Sequence, residues 1–300
     1  ARRWVPPALA DVYLLTMGLS ELQFDQLTEL SQPHQVRVVA MGSEQLLGFD
    51  VGNVSKTHVP LSTLGRLFLH QFIPDTYDTL FYIDGDTWIA GDISPLVTFR
   101  PPEGRICAAE DPSFFYRHDL GSTGNKVRAY FSGLGLDGDR GYFNAGVLIS
   151  TLATWRDIAG DAFQFFCANV ERCSFHDQSA LNAVAQARRV KLSNKWNFMT
   201  DFKFWNVENR LEPRIFHFTG FPKPWMGTFY PWSDMSVRYA SAFDALHATS
   251  FSIRSLDERL IAEVEAANKR ISIRLATLFR HRRFARSREM MRTIEARAVI

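Results

Sequence analysis

Short apolar runs alternate with helix-length amphipathic stretches from residue 11 to residue 220, and few architectures accept that order. "DVYLLTMG" (11–18), "QVRVVAM" (35–41), "TLFYID" (79–84), "RICAAE" (105–110), "AGVLIS" (145–150) and "RIFHFTG" (214–220) read as strands. Between them, Ser20 is placed to cap a helix in which Leu22, Phe24, Leu27 and Leu30 recur at near-helical spacing. "LSTLGRLFLHQFIP" (61–74) reads as an apolar-rich helix stopped by Pro74, and helical patterns cover 153–172 and 177–188. The expectation is an α/β fold: a mostly parallel central sheet flanked by helices. Residues 221–235, rich in Pro, Trp and Gly, read as an ordered loop.

A chain of 300 residues with 46% hydrophobic and 22% charged residues can bury a sizeable core without covalent staples. Cys107, Cys167 and Cys173 cannot all pair, and no C-x-x-C is present, which fits a reducing compartment and predicts a cytoplasmic protein. No apolar run approaches the roughly 20 residues of a membrane span. Charge is uneven. Residues 254–300 hold 12 Lys/Arg against 6 Asp/Glu, although the whole chain is only +2, so the body is acidic. Ser255 and Glu258 form a capping-box pair at the start of this tail. Leu256, Leu260, Val264, Ala267, Ile271, Leu275 and Leu278 then follow at spacings of three and four. The predicted division is a body over 1–250 and a basic amphipathic helical tail over 251–300. Arginines interleaved with Phe279 and Phe284 suit an anionic membrane surface, and the acidic body argues against nucleic acid.

The strand at 79–83 ends in Asp84, Gly85 and Asp86. Side chains two apart on a strand share a face, so both acids can point into the cleft beyond its carboxyl end, where open α/β sheets bind ligands. Two neighbouring carboxylates resist joint ionisation, and a hard divalent cation, Mg²⁺ or Mn²⁺, removes that difficulty. The same triplet recurs as Asp137, Gly138 and Asp139, but with loop sequence on both sides, so the first copy is the candidate metal site.

Four segments, in order, carry a resemblance. "TLFYIDGDTWIAGDISPL", "YFNAGVLIST", "DQSALNAV" followed by "LSNKWNF", and "HFTGFPKPW" resemble the signatures of the family-8 glycosyltransferases, including bacterial lipopolysaccharide and lipooligosaccharide glucosyl- and galactosyltransferases. The resemblance implies a GT-A type nucleotide-sugar-binding fold and a retaining hexosyltransferase that takes a UDP-sugar with Mn²⁺. It implies Asp84, Asp86 and His217 as metal ligands, and Gly220 and Lys223 at the diphosphate. Arg66, Asp111 and Asn144 would bind substrate, with Asp177 and Gln178 catalytic at the sugar. The residue types agree. Imidazole beside carboxylates favours a transition metal over Ca²⁺, Lys223 is a compact charge for a leaving phosphate, and Asn144 and Gln178 both donate and accept.

One departure accompanies the resemblance. "ARRWVPPALADVYLL" reads as starting beyond the first base-binding strand, with its uracil-gripping Asp and aromatic. The expected function is transfer of a glucose or galactose to the hydroxyl of a cell-surface glycan or lipopolysaccharide, at the inner face of the membrane if the tail seats there. The alternatives are a metal-dependent nucleotide-sugar phosphohydrolase and a non-catalytic scaffold with a decayed donor site.

Overall fold

Strand and helix alternate as their sequence periods require in the residues that the computed structural model describes: 1–42, 61–246, 255–275 and 278–300. The first unit is β1 (Val12–Met17), α1 (Glu21–Ser31) and β2 (Val36–Met41), with β1 and β2 paired in parallel. Ser20 caps α1 in a reciprocal box. Its side chain accepts from the Gln23 N–H, and the Gln23 side chain accepts from its backbone. The stretch expected as a helix over 61–74 is α-helical only at Leu61–Leu64 and 3₁₀ over Gly65–Gln71. Gly65 is a poor α-helix residue, and a side chain there would press on Met41 and Met17.

The chain continues through β3 (Thr79–Ile83), β4 (Thr87–Ile89), β5 (Ile106–Glu110), α2 (Pro112–Tyr116), α3 (Ser122–Gly133) and β6 (Phe143–Thr151). Then come α4 (Leu152–Ala168), α5 (His176–Ala185), β7 (Arg189–Leu192), β8 (Phe198–Met199), β9 (Ile215–His217) and α6 (Ser233–Ala245). The larger sheet has the order β3-β6-β5-β7. Its strands β3, β5 and β7 share one direction, but β6 runs against them and lies between β3 and β5. Most strands are therefore parallel in direction while two of the three pairings are antiparallel, which corrects the expected mostly parallel sheet. Two helices packed on each other, α4 and α5, separate β6 from β7, and a paired crossover returns the chain to the end it left.

β6 is buried from Phe143 to Ser150, which is why it reads as a continuous apolar run. On one face Phe143 and Leu148 pack with Trp155, Ile158 and Phe166 of α4 and Leu181 of α5. On the other, Val147 and Ile149 pack with Cys107, Leu192, Trp196 and Ile215. The ladder between β5 and β6 is broken: Ala108 faces Leu148, yet Glu110 faces Phe143. The step across Asn144, Ala145 and Gly146 is a bulge that frees these residues from β5. A smaller sheet, β4-β9-β8, sets Thr87 opposite His217 and Met199 beside it. The expected ordered loop over 221–235 holds a 3₁₀ turn at Pro224–Met226 and the start of α6.

The tail forms α7 (Glu258–Leu275) and α8 (Leu278–Glu295). Asp257, not Ser255, caps α7: its Oδ1 accepts from the Leu260 N–H, because the helix starts at Glu258 and places Ser255 too far upstream. Met291 and Ile294 of α8 are buried in the main core. The Glu295 carboxylate accepts from Ser193 Oγ and from the Asn194 N–H. Beyond it, the Val299 N–H donates to Lys191 O and the Ser193 N–H to Ile300 O, covering the edge of β7. The side chains of Phe279 and Phe284 lie outside the described residues. Among the described residues no helix is long and apolar enough to cross a membrane. Ile294→Ala should lower the free energy of unfolding by about 2–4 kcal/mol in a denaturant titration. A tail independent of the body would leave the transition unmoved.

Candidate active site

Asp84 is the first residue past β3, and its N–H still donates to Gly146 O at 2.8 Å, so the strand's ladder fixes its backbone. Its side chain is held from three sides. Tyr82 donates to Oδ1 at 2.6 Å, Arg66 Nη2 approaches Oδ1 at 2.9 Å, and His217 Nε2 lies 3.5 Å from Oδ2. Asp86 begins the approach to β4. Its Oδ1 is 3.3 Å from His217 Nε2 and its Oδ2 is 2.6 Å from Lys223 Nζ. The Phe218 N–H donates to Asp86 O, which ties the residue after β9 to this turn. One ligand atom each from Asp84, Asp86 and His217 lies within 4.8 Å of the others. Two carboxylates and an imidazole converging on one point are a donor set for a divalent transition ion.

The space between them is made by a missing side chain. A Cβ on Gly146 would stand 2.2 Å from His217 Cε1 and 2.8 Å from Asp84 Oδ2. No other residue type fits between these groups. Behind the ring, His217 Nδ1 lies 2.9 Å from Asn197 Oδ1, leaving Nε2 to face the acids. The residues present therefore fit a divalent cation.

The remaining candidates adjoin the same point. Arg66 lies over the Tyr82 ring and commits all three nitrogens: Nη2 to Asp84, Nε to Asp177 Oδ2 at 2.7 Å, and Nη1 to Ala145 O at 2.5 Å. Asn144 Nδ2 donates to Asp111 Oδ2 and to Gln178 Oε1, both at 3.1 Å. Gln178 Nε2 donates to Asp111 Oδ2, and its Oε1 also accepts the Ala145 N–H. Asp111 in addition caps α2 through the Ser113 N–H. Gly220 stands at φ 86°, in the left-handed region, with open space where a Cβ would be. Gly220 aside, the sequence candidates thus form one connected cluster drawn from six separated segments. The second triplet stays apart. Asp137 accepts from the Asp139 N–H in a surface turn, and the Asp139 side chain is 99% exposed.

Three residues of the cluster were not among those candidates: Tyr82, Gly146 and Asn197. Gly146 and Asn197 lie inside segments already singled out, and Tyr82 shares the strand face of Asp84, so motif and period each point to them.

Burial and charge set the ionisation. Burial pushes the Asp177 carboxyl up to about 6, with the Asp84 charge adding to the rise and Arg66 opposing it. Burial also works against a charged Asp86, but hydrogen bonding and charge from His217, then Lys223, outweigh it and hold that group below the usual carboxylate range. For Arg66 burial again opposes the charge, and Asp177, Tyr82, Asp84 and Asp86 more than offset it. An acid whose folded pKa lies above its unfolded one binds more protons when folded. Asp177 therefore favours folding below its unfolded pKa, and that advantage is lost as pH rises from about 4 to about 6. In metal-free buffer, wild-type stability relative to Asp177→Asn should fall by on the order of 3 kcal/mol between pH 4 and pH 7. A difference that stays flat with pH would contradict the shift.

Comparison with known proteins gives this geometry a family. The model of glycosyl transferase family 8 matches residues 6–228. General stress protein A of Bacillus subtilis (strain 168) is 27% identical over 208 residues, covering 63% of this chain and 68% of that protein. The lipopolysaccharide 1,2-glucosyltransferase of Escherichia coli (strain K12) is 24% identical over 246 residues, covering 76% of this chain and 67% of its own. Among solved structures, galactosyltransferase LgtC in complex with donor and acceptor sugar analogs superposes with a TM-score of 0.58 at 22% identity, over 83% of this chain and 87% of that one. The glycosyltransferase GlyE of Streptococcus pneumoniae TIGR4 gives 0.52 at 18% identity, over 83% and 59%. These two likenesses establish the GT-A type fold. Since the matched span reaches from before β1 to beyond Lys223 and contains the whole cluster around Asp84, Asp86 and His217, the chain belongs to glycosyl transferase family 8 and is a glycosyltransferase.

Proposed function

We propose that this glycosyltransferase moves a hexose, glucose or galactose, from a UDP-sugar to a hydroxyl of a cell-surface glycan or lipopolysaccharide, with retention and with Mn²⁺ (Mg²⁺ as substitute). The observation that carries the reading is the meeting of Asp84, Asp86, His217 and Lys223 beside the polar cluster of Asp111, Asn144, Asp177 and Gln178. Asp84, Asp86 and His217 would hold the cation, which when bound supplies positive charge against the departing diphosphate. Lys223, within reach of Asp86, adds a second charge there, and Gly220 lets the backbone close on the phosphates.

A cleft at the carboxyl ends of β1 and β2, lined by Met17, Leu19, Phe24 and Met41 together with Glu21 and Asp25, is the place proposed for the uracil. Gly65, beside Arg66, packs under Met17 and Met41, so this cleft adjoins the polar cluster. Arg66 holds Asp84 and Asp177 in place at the donor sugar. Asn144 and Asp111 offer a donor and an acceptor to sugar hydroxyls. Gln178 is proposed to lie opposite the anomeric carbon. A carboxamide is a poor nucleophile, and Asp177 is paired with Arg66. Attack by the acceptor on the face the diphosphate leaves is therefore favoured over a covalent intermediate through an oxocarbenium-like transition state. Asp86→Asn and Lys223→Ala should each lower turnover of UDP-glucose or UDP-galactose by about 10²–10³-fold with Mn²⁺ present, measured as UDP release. The product anomer, read by NMR, should match the donor. Release of UMP and sugar 1-phosphate, unaffected by acceptor alcohols, would instead favour a phosphohydrolase, and a glycosyl adduct trapped on Asp177 would overturn same-face attack.

The arginine-rich tail is proposed to rest on an anionic cytoplasmic membrane surface through its exposed side, where Arg282, Arg286 and Arg292 lie, since Met291 and Ile294 face the body. Co-sedimentation with vesicles containing anionic lipid should be lost on replacing these three arginines by Gln. Binding that the triple variant retains would refute the assignment.

A further inference from the structure

We propose that Asn197 is a positioning residue that fixes the His217 ring as the Nδ1–H tautomer and so turns the Nε2 lone pair toward Asp84 and Asp86. The inference rests on the metal-site reading above only for its purpose; the hydrogen-bond directions stand without it.

The directions follow from groups that have no choice. A backbone N–H can only donate. The Gly146 N–H meets Asn144 Oδ1 at 2.9 Å, so that atom is the amide oxygen. Asn144 Nδ2 then faces Asp111 Oδ2 and Gln178 Oε1, and Gln178 Oε1 is itself fixed as an oxygen by the Ala145 N–H. With Asn144 oriented, its Oδ1 must receive a donor from Asn197, and Asn197 Nδ2 lies 2.9 Å away. Reversing Asn197 would set two acceptors against each other in a site with no solvent, since Asn197 is 0% exposed. Asn197 Oδ1 is therefore the atom at 2.9 Å from His217 Nδ1, and that nitrogen must carry the proton.

The alternative tautomer has its own attraction. A proton on Nε2 would point at Asp86 Oδ1 and Asp84 Oδ2, 3.3 and 3.5 Å away, and would occupy the lone pair a cation needs. Two carboxylates favour the tautomer that blocks the site. The chain Asp111, Asn144, Asn197 imposes the other one. The direction is set at the polar pocket around Asp111 and Gln178, and it is delivered through two buried amides to the ring.

The test reads the tautomer directly. In metal-free protein labelled with ¹⁵N-histidine, above the imidazole titration range, two-bond ¹⁵N–¹H correlations separate the two forms, and His217→Gln assigns the resonance. The wild-type ring should be Nδ1–H. Asn197→Ala should convert it to Nε2–H and weaken Mn²⁺ binding, followed by the free-ion EPR signal, by about 10–100-fold. A wild-type ring protonated on Nε2, or a tautomer that Asn197→Ala leaves unchanged, overturns the proposal. Where Asn197→Ala does not fold, the wild-type spectrum decides. A wild-type Nδ1–H ring in a protein that binds no Mn²⁺ would remove the metal reading and leave the relay in place.

Discussion

Asp84 and Asp86 can only share a site if something offsets their repulsion. Ligand atoms of this pair lie within 4.8 Å, where two like charges at an effective dielectric near 20 repel by about 3 kcal/mol. The protein answers with two cations from distant segments. Arg66 comes from a 3₁₀ stretch ahead of β3, and Lys223 from the loop after β9. Each touches one of the two acids. The architecture around the site is the means of bringing four points of the chain, near residues 66, 84, 217 and 223, to the same few ångströms. Neither cation sits between the acids, so their inner oxygens remain turned toward His217.

That geometry depends on the irregularity in β6. An unbroken ladder with β5 would keep Asn144 and Gly146 in regular pairing. On its other edge the Gly146 carbonyl continues the regular β3–β6 ladder to Asp84, and its bare Cα leaves room for the His217 ring. The same step turns Asn144 toward Asp111, Gln178 and Asn197. One local break in a buried strand thus builds the wall of the proposed metal site and the floor of the proposed sugar pocket. Core packing on both faces of β6 keeps the break in register, because Phe143 and Val147 on either side of it are fully buried.

The sequence made strands and helices legible wherever the hydrophobic period was clean, as at β3, α4 and β6. It also placed the acid pair at a strand end, since alternation puts Asp84 and Asp86 on one face. Sheet direction was less accessible. Strand patterns do not encode orientation when both faces are buried. Capping was partly legible: Ser20 and Gln23 sit as their spacing requires, whereas Asp257 displaced Ser255 because the helix begins later. Asn197 was hidden for another reason. Its role is to face two other side chains across the interior, and no local pattern records a contact between residues 144, 197 and 217.

The tail looks different once its last turns are placed. An excess of arginine suggests a free arm, yet Met291 and Ile294 enter the main core, and Val299 and Ile300 pair with β7. Glu295 accepts from Ser193 and from the Asn194 N–H, and burial raises its pKa. The segment it grips is short: a 3₁₀ turn over Asn194–Trp196 leads directly to Asn197. The stretch 193–197 is therefore clamped at one end by α8 and at the other by Asn144 and His217. Asn194 adds a third anchor, donating from Nδ2 to Glu110 O at the end of β5. A rigid backbone at both ends is what lets a single amide hold a ring in one orientation, because a carboxamide on a mobile loop would follow the ring and could not direct it. The end of the tail, remote in sequence from the acid pair, thus belongs to the same mechanical unit as the histidine that faces it.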